Sequence, residues 1–252
     1  MGPRTHLEDR LDEPDEVILP RQVFHVLVET PCPYLPDRHE RKLLTELKAP
    51  GAVETYSLLS RAGFRRSHNY AYRPACSGCA ACVPVRVRAR DFTPSPSLKR
   101  VAAANRDLQA VEARPVATPE QYRLFDCYID IRHGDGEMAG MGYADYRAMI
   151  EESCLDTTLT EWRDPDGGLV AVCLTDWLED GPSAVYSFFD PAQGPRSLGT
   201  FCVLWLIEEA RRRDLPHVYL GYWIAQSGKM AYKARFRPLE GLGVDGWRVL
   251  EP

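Results

Sequence analysis

The segment Cys76-Ser77-Gly78-Cys79-Ala80-Ala81-Cys82 places three thiols at C-x-x-C-x-x-C spacing, and Cys32, inside Pro31-Cys32-Pro33-Tyr34-Leu35-Pro36, offers a fourth donor. The small residues between the thiols let backbone amides turn toward sulfur, so Cys32, Cys76, Cys79 and Cys82 are expected to hold a tetrahedral zinc ion or a small iron–sulfur cluster. Unligated thiols in a tight turn are the alternative, because three cysteines alone do not complete such a site. An arginine-rich strand follows the cluster rather than a helix, which argues against a thioredoxin-like redox pair.

Upstream, Gly63-Phe64-Arg65-Arg66-Ser67-His68-Asn69-Tyr70-Ala71-Tyr72-Arg73-Pro74 interleaves arginines with aromatics. That mixture suits phosphates and unstacked bases. Residues 61–106 hold ten basic side chains against Asp91 alone, whereas residues 137–190 hold twelve acids against Arg147 and Arg163. Either the basic segment meets a phosphate-bearing partner or the two segments face and neutralise each other. Farther on, Tyr186-Ser187-Phe188-Phe189-Asp190-Pro191 ends a strand on a carboxylate, and Arg196-Ser197-Leu198-Gly199-Thr200 opens a helix whose first amides form an anion site. Lys229 to Pro238 gathers basic residues among aromatics with no acid, a second candidate for phosphate or carboxylate recognition. His133, beside Gly134, reads as a simple helix C-cap.

Periodicity indicates the elements that must position these groups. Gln22–Val28 reads as a strand, and Ala52–Arg61 as a short helix stopped by Gly63. Val83–Arg90 alternates with period two, its valines facing a core and its arginines facing away, with Pro84 at an edge or a strand start. A helix is expected from a Ser97 cap to Asn105, and another from the capping box of Thr118-Pro119-Glu120-Gln121. After a helix at Tyr143–Cys154, three antiparallel strands follow near Thr158–Trp162, Leu169–Trp177 and Ser183–Phe189. An amphipathic helix Ser197–Arg212, a strand His217–Gly221, a short helix Lys229–Arg235 and a last strand Val244–Leu250 complete the order. Cys127, Cys154, Cys173 and Cys202 sit singly at apolar positions and are expected in the core.

The chain has 252 residues, 44% hydrophobic and 27% charged, which excludes wholesale disorder, collagen-like repeats and coiled-coil rods. No apolar run approaches the roughly 20 residues of a membrane helix, and the acidic start is unlike a signal peptide. A soluble cytoplasmic protein with reduced cysteines is expected, with no membrane partner. The expected division is a flexible acidic leader at 1–18, a cysteine-bearing and basic N-terminal α/β domain at 19–96, and an α+β acetyltransferase-like domain at 97–252.

Taken in order, Cys32-Pro33-Tyr34-Leu35, Gly63-Phe64-Arg65-Arg66-Ser67, Tyr72-Arg73-Pro74-x-Cys76, Tyr186-Ser187-Phe188-Phe189-Asp190-Pro191, Ser197-Leu198-Gly199-Thr200, Tyr219-Leu220-Gly221-Tyr222-Trp223-Ile224 and Lys229-Met230-x-Tyr232-Lys233 resemble the aminoacyl-tRNA–protein transferases. In its length and its cysteine spacing the chain is similar to the bacterial aspartate/glutamate leucyltransferase branch rather than to the longer eukaryotic arginyltransferases. The resemblance implies transfer of leucine from leucyl-tRNA to the N-terminal Asp or Glu of a protein, marking it for degradation, with an arginyl donor as the alternative. It also implies a GNAT-like C-terminal half. The pyrophosphate loop of the related acetyltransferases, Q/R-x-x-G-x-G/A, fails here at Phe201, so the loop is expected to take the tRNA 3′ end in place of coenzyme A. An RNA-binding module without turnover and an acetyl-CoA-dependent N-acetyltransferase are the rival readings.

An aminoacyl ester carries its own driving force, so the chemistry requires no cofactor, and no Gly-x-x-x-x-Gly-Lys loop is present. Asp190 is expected to orient or deprotonate the acceptor amine, with Tyr186 and Tyr222 as proton donors. Arg196, Ser197, Gly199 and Thr200 are expected around a terminal phosphate or the oxyanion. Arg65, Arg66, Ser67, Arg73, Lys229, Tyr232, Lys233 and Arg235 would then hold tRNA or the acceptor carboxylate.

Overall fold

The computed structural model describes residues 21–251 apart from Asp135 and Glu137, so the leader expected at 1–18 lies outside the described residues. Strands β1 (Phe24–Val26), β2 (Thr30–Pro31), β3 (His39–Glu40) and β4 (Lys42–Glu46) precede helix α1 (Ala52–Arg61), and β5 (Arg65–Ser67), β6 (Tyr70–Pro74) and β7 (Val83–Arg88) follow it. Next come α2 (Pro96–Ala104), β8 (Gln109–Ala113), α3 (Pro119–His133), α4 (Tyr143–Glu151), β9 (Thr157–Arg163), β10 (Leu169–Leu178) and β11 (Gly181–Phe189). A 3-10 segment Pro191–Arg196 leads into α5 (Leu198–Arg212), then β12 (His217–Trp223), a 3-10 segment Gly228–Arg235, β13 (Leu239–Gly243) and β14 (Gly246–Val249).

Side-chain alternation in β10 sets the layers, because successive residues of a strand face opposite sides. Ala171 and Cys173 pack with Leu98 of α2 and Cys202 and Leu206 of α5. Val172 and Leu174 pack with Phe125 and Ile129 of α3 and Tyr146 and Ile150 of α4. Between these layers runs an eight-stranded sheet in the order β14-β13-β7-β12-β11-β10-β9-β8. Among the described residues only β11 and β12 run parallel, and the α+β expectation is met. A smaller sheet, β1-β4-β6-β5, docks through Leu47, Tyr56, Phe64 and Ala71 onto Leu178 and Tyr219 of the large one.

Several local expectations are displaced for identifiable reasons. Strand β7 was expected with the N-terminal part, yet it is bonded between β12 and β13 inside the large sheet. Pro84 is tolerated there because it pairs only with Tyr222 of β12, and β13 pairing begins at Val85. Ser95 rather than Ser97 caps α2, its hydroxyl accepting from the Leu98 amide at 3.4 Å, because Pro96 suits the first helical position. The single strand expected at Val244–Leu250 is the second arm of the β13–β14 hairpin. Cys173 and Cys202 are buried as expected, but Cys127 is exposed.

Arg66 of β5 reaches Asp176 of β10 in a two-pronged ion pair at 2.6 and 2.8 Å, with both side chains at 1% exposure or less. Thr157 donates to the same carboxylate at 2.7 Å and Arg66 also donates to the His68 carbonyl, which satisfies the remaining polar atoms. Charge pairing between the basic and acidic segments is therefore real at this joint, and Arg61 with Glu179 extends it. Asp176→Asn leaves the buried guanidinium without a countercharge and is expected to cost about 3–5 kcal/mol. Denaturant unfolding of the variant measures this, and a loss below about 1 kcal/mol, the range of exposed pairs, would contradict it.

Candidate active site

The parallel strands β11 and β12 share one registered pair, Ser183 with Tyr219. Each strand then skips a residue in its other pairing, Val185 against β10 and Leu220 against β7. Such bulges re-aim strands and leave carbonyls without ladder partners. Here Arg65 supplies the partner, its Nη2 donating to the Ala184 carbonyl at 2.9 Å and the Val185 carbonyl at 3.1 Å. Gly221, at φ +74°, makes the space, since a Cβ there would lie 2.5 Å from Arg65 Nη1.

On the C-terminal side of this joint lies a cavity of about 450 Å³. It is walled by Tyr128, Arg132 and His133 of α3, Ser187 and Phe189 of β11, Gln193, Gly194 and Ser197 of the connecting loop, the first residues of α5, and Lys229 and Tyr232. Ser197 adopts a left-handed conformation, φ 52° and ψ 48°, and makes no side-chain cap. The Thr200 and Phe201 amides bond to the Ser197 carbonyl, while those of Leu198 and Gly199 have no acceptor among the described residues. Two amides at a helix N-terminus beside a cavity can bind an oxyanion or a phosphate. Gly199 is close-fitting, because a Cβ would stand 3.0 Å from the Phe189 ring. Arg132 and Lys229 bring positive charge to the wall, and no described lining residue is acidic.

Of the expected substrate-binding residues, Ser197, Gly199, Thr200, Lys229 and Tyr232 line this cavity. Arg66 is consumed by Asp176. Arg196 is held by a two-pronged bond to Asp107 at 2.8 and 2.7 Å, which ties the loop to the end of α2. Arg73 donates to the Ala62 carbonyl, Ser67 meets His68, and Arg235 is exposed and does not line the cavity. Lys233, at 8% exposure, donates to the Tyr222 carbonyl at 2.5 Å. Burial first and the Arg65 charge second lower its ammonium pKa to about 7.

The three expected catalytic side chains do not line the cavity. Asp190 caps the 3-10 segment, accepting from the Ala192 amide at 2.9 Å and from the Gln193 side chain at 3.2 Å. Tyr222 donates to the Gly63 carbonyl at 2.9 Å, with the Tyr72 carbonyl at 3.2 Å, and so ties β12 to the small sheet. Tyr186 packs against Phe125 and Phe188. A strand-end acid next to proline carries the same sequence signal whether it caps or catalyses. Conversely, Tyr128 and Arg132, in the helix that the Thr118–Gln121 box starts, and His133, expected as its cap, stand on the cavity wall. Their signal was the polar tips of Tyr128 and Arg132, spaced i and i+4 on an otherwise apolar stripe. Tyr128 Oη lies 3.4 Å from His133 Nε2, and burial raises the phenol pKa.

The cysteines form a separate cluster. The Cys82 thiol is pushed up to about 11, first by burial and then by Cys32, Cys76 and Cys79, so the four share one neighbourhood. Their donor chemistry suits a soft metal, and Cys76 sulfur accepts from the Arg41 amide at 3.4 Å. Among the described residues, however, no group of three or more His, Cys, Asp or Glu is arranged to hold a metal ion.

A cavity at the opening of a parallel strand pair, with free helix amides and basic walls, is suited to a phosphate-bearing ligand. Two family models match the chain in order, "Arginine-tRNA-protein transferase, N terminus" over residues 30–100 and "Arginine-tRNA-protein transferase, C terminus" over residues 120–243. The chain belongs to the arginine-tRNA-protein transferase family and is an aminoacyl-tRNA–protein transferase, with a charged tRNA as donor and a protein as acceptor. Among its relatives, the aspartate/glutamate leucyltransferase of Paramagnetospirillum magneticum is 54% identical over 91% of this chain and 94% of that one. The enzyme of the same name from Rhodospirillum rubrum is 52% identical over 89% and 92%. Solved structures lie farther away: L-PGS from Bacillus licheniformis aligns at a TM-score of 0.45 and 14% identity over 68% of this chain and 50% of that one, too remote to carry an argument.

Two outcomes follow from the site. Asp190→Asn keeps the acceptor bond from the Ala192 amide through its one oxygen and turns a donor toward Gln193, whose side-chain oxygen can meet it, and should leave turnover within about threefold of wild type, whereas Asp190→Ala frees the loop at a cost near 1 kcal/mol and lowers turnover further. Equal, severe losses in steady-state assays of both variants would return a charge-dependent role to Asp190. For Lys233, the folded chain gives up its proton near pH 7 and the unfolded chain only near 10.5. The unfolded state therefore binds more protons between these values, and wild-type stability should rise with pH there relative to Lys233→Met. A stability difference that stays flat with pH, read from denaturant midpoints, would show that the fold does not lower the Lys233 pKa.

Proposed function

We propose that this chain transfers leucine from leucyl-tRNA to the N-terminal Asp or Glu of cytoplasmic proteins and so marks them for degradation. The observation that carries this reading is the cavity itself. Tyr128, Phe189 and Leu198 give it apolar walls, Arg132 and Lys229 suit a phosphate, and no described lining residue is an acid. Leucine fits such a wall, whereas an arginyl side chain would meet Arg132 and Lys229 with no carboxylate to pair with. The names of the relatives point the same way.

In the reaction, the acceptor's neutral α-amine attacks the ester carbonyl. The C–N bond forms, the carbonyl oxygen becomes an oxyanion facing the Leu198 and Gly199 amides, and the C–O bond to the ribose breaks. The amine's lost proton must end on the ribose oxygen. Tyr128 is assigned as its donor, because burial keeps the phenol protonated, and His133 at 3.4 Å takes up the proton the amine releases and passes it to Tyr128, so no net proton is gained or lost. No step runs through the cysteine cluster. A zinc ion or an iron–sulfur cluster there would be structural, and elemental analysis of the purified protein measures whether one is held.

Supplying labelled leucyl-tRNA, arginyl-tRNA or acetyl-CoA with an Asp-initiated peptide should give leucyl-peptide as the dominant product. Preferred arginyl transfer would assign the other donor, and acetylation would place the chain among N-acetyltransferases. Tyr128→Phe should lower kcat by about 10²-fold, the usual scale for a positioned proton donor. An unchanged kcat would remove Tyr128 from the mechanism.

A further inference from the structure

Arg65 brings a positive charge into the opening between β11 and β12, Lys233 brings an ammonium that burial and the Arg65 charge leave only partly protonated near neutral pH, and neither forms an ion pair among the described residues. Arg65 spends Nη2 on two carbonyls, while its Nη1 is buried with no partner. Lys233 Nζ has one acceptor among the described residues, the Tyr222 carbonyl, and two N–H bonds left over. Asp176, the acid buried at the joint, already serves Arg66 and Thr157. A cavity of about 10 Å³ beside Arg65 has room for a single water, which supplies no countercharge. A buried guanidinium beside a proton-poor lysine, with no carboxylate, is costly to hold, and an arriving anion recovers that cost and restores the Lys233 proton.

We propose that Arg65 and Lys233 form the site for the side-chain carboxylate of the acceptor's N-terminal Asp or Glu, an inference that rests on the leucyl-transfer reading above. Three observations select this anion. The tRNA phosphates belong to a bulky exposed backbone, whereas Lys233 is 8% exposed within a sheet opening. The oxyanion of the intermediate is transient, whereas the mismatch of charge is present before any reaction. The leucyl donor contributes no carboxylate at all. Spacing also fits, because Ser187 on the cavity wall is two residues beyond Val185, roughly 7 Å along β11. The α-amine of an acidic residue lies roughly 3–5 Å from its own carboxylate, so a carboxylate at Arg65 brings the amine to the margin of the cavity. There the Arg65 charge also favours the neutral amine over its ammonium form, and the neutral form is the nucleophile.

The test uses the full chain, leucyl-tRNA and a pair of peptides that differ only in Asp or Asn at the N-terminus. Wild type should leucylate the Asp peptide about 10²-fold faster or more. In Lys233→Met the Asp rate should fall further than the Asn rate, closing the ratio by about tenfold or more, and Arg65→Lys, which keeps charge but loses the fork, by a smaller factor. Fluorescence anisotropy of the same peptides without tRNA should show the same ordering in binding. If both peptides lose rate and affinity equally in whichever variant melts cooperatively, the cations serve the donor or the fold and the carboxylate site is wrong. If wild type transfers no leucine but still binds Asp over Asn, with Lys233→Met abolishing the preference, the leucyl reading fails while the site stands. If wild type shows no preference in either measurement, the site is overturned.

Discussion

The buried contact between Arg66 and Asp176 decides how the two sheets meet, and the remainder of the site follows from that meeting. Taking two charges out of water is expensive, and the arrangement is tenable only because Thr157 and the His68 carbonyl complete the hydrogen bonding. Such a pair tolerates little sliding, since a guanidinium fork bonded to both carboxylate oxygens fixes direction as well as distance. One residue away, Arg65 is thereby delivered to the bulged carbonyls of β11. The small sheet thus closes the end of an opening that the large sheet could not fill with its own residues.

Labour between the halves is divided by chemistry. The large sheet and α5 build a cavity whose free amides, glycine and apolar walls suit a bulky donor with a phosphate tail. The small sheet adds charge where the large sheet has only backbone. Tyr222 joins the two, its hydroxyl on the Gly63 carbonyl and its own carbonyl on Lys233. Displacing any one of these contacts moves the others, because they converge on the same few residues of β12.

Much of the fold was legible in the sequence, since period-two and capping patterns are local. The Thr118–Gln121 box is formed as read, with bonds at 2.9 and 3.2 Å, and the three-strand meander lies where alternation put it. What escaped was non-local. Nothing in Val83–Arg88 indicates that its neighbours are β12 and β13, and nothing in Asp190 separates a cap from a base. The basic residues show the same limit. Arg65 and Arg66 are adjacent and identical in type, yet one is neutralised by Asp176 and the other is left charged, a difference set entirely by residues more than a hundred positions away.

The central placement of β7 bears on how the chain is made. Its hydrogen-bonding partners span His217–Trp223 and Leu239–Gly241, so a strand synthesised well before the middle of the chain waits for its last third before either of its edges is covered. During translation that strand is an open template with valines on one face, which is the situation in which unpaired edges invite association with other chains. Its alternate arginines, Arg86 and Arg88, blunt that edge with charge until Glu240 arrives to pair with them. The same basic residues that end as structural partners in the finished sheet therefore protect the unfinished one.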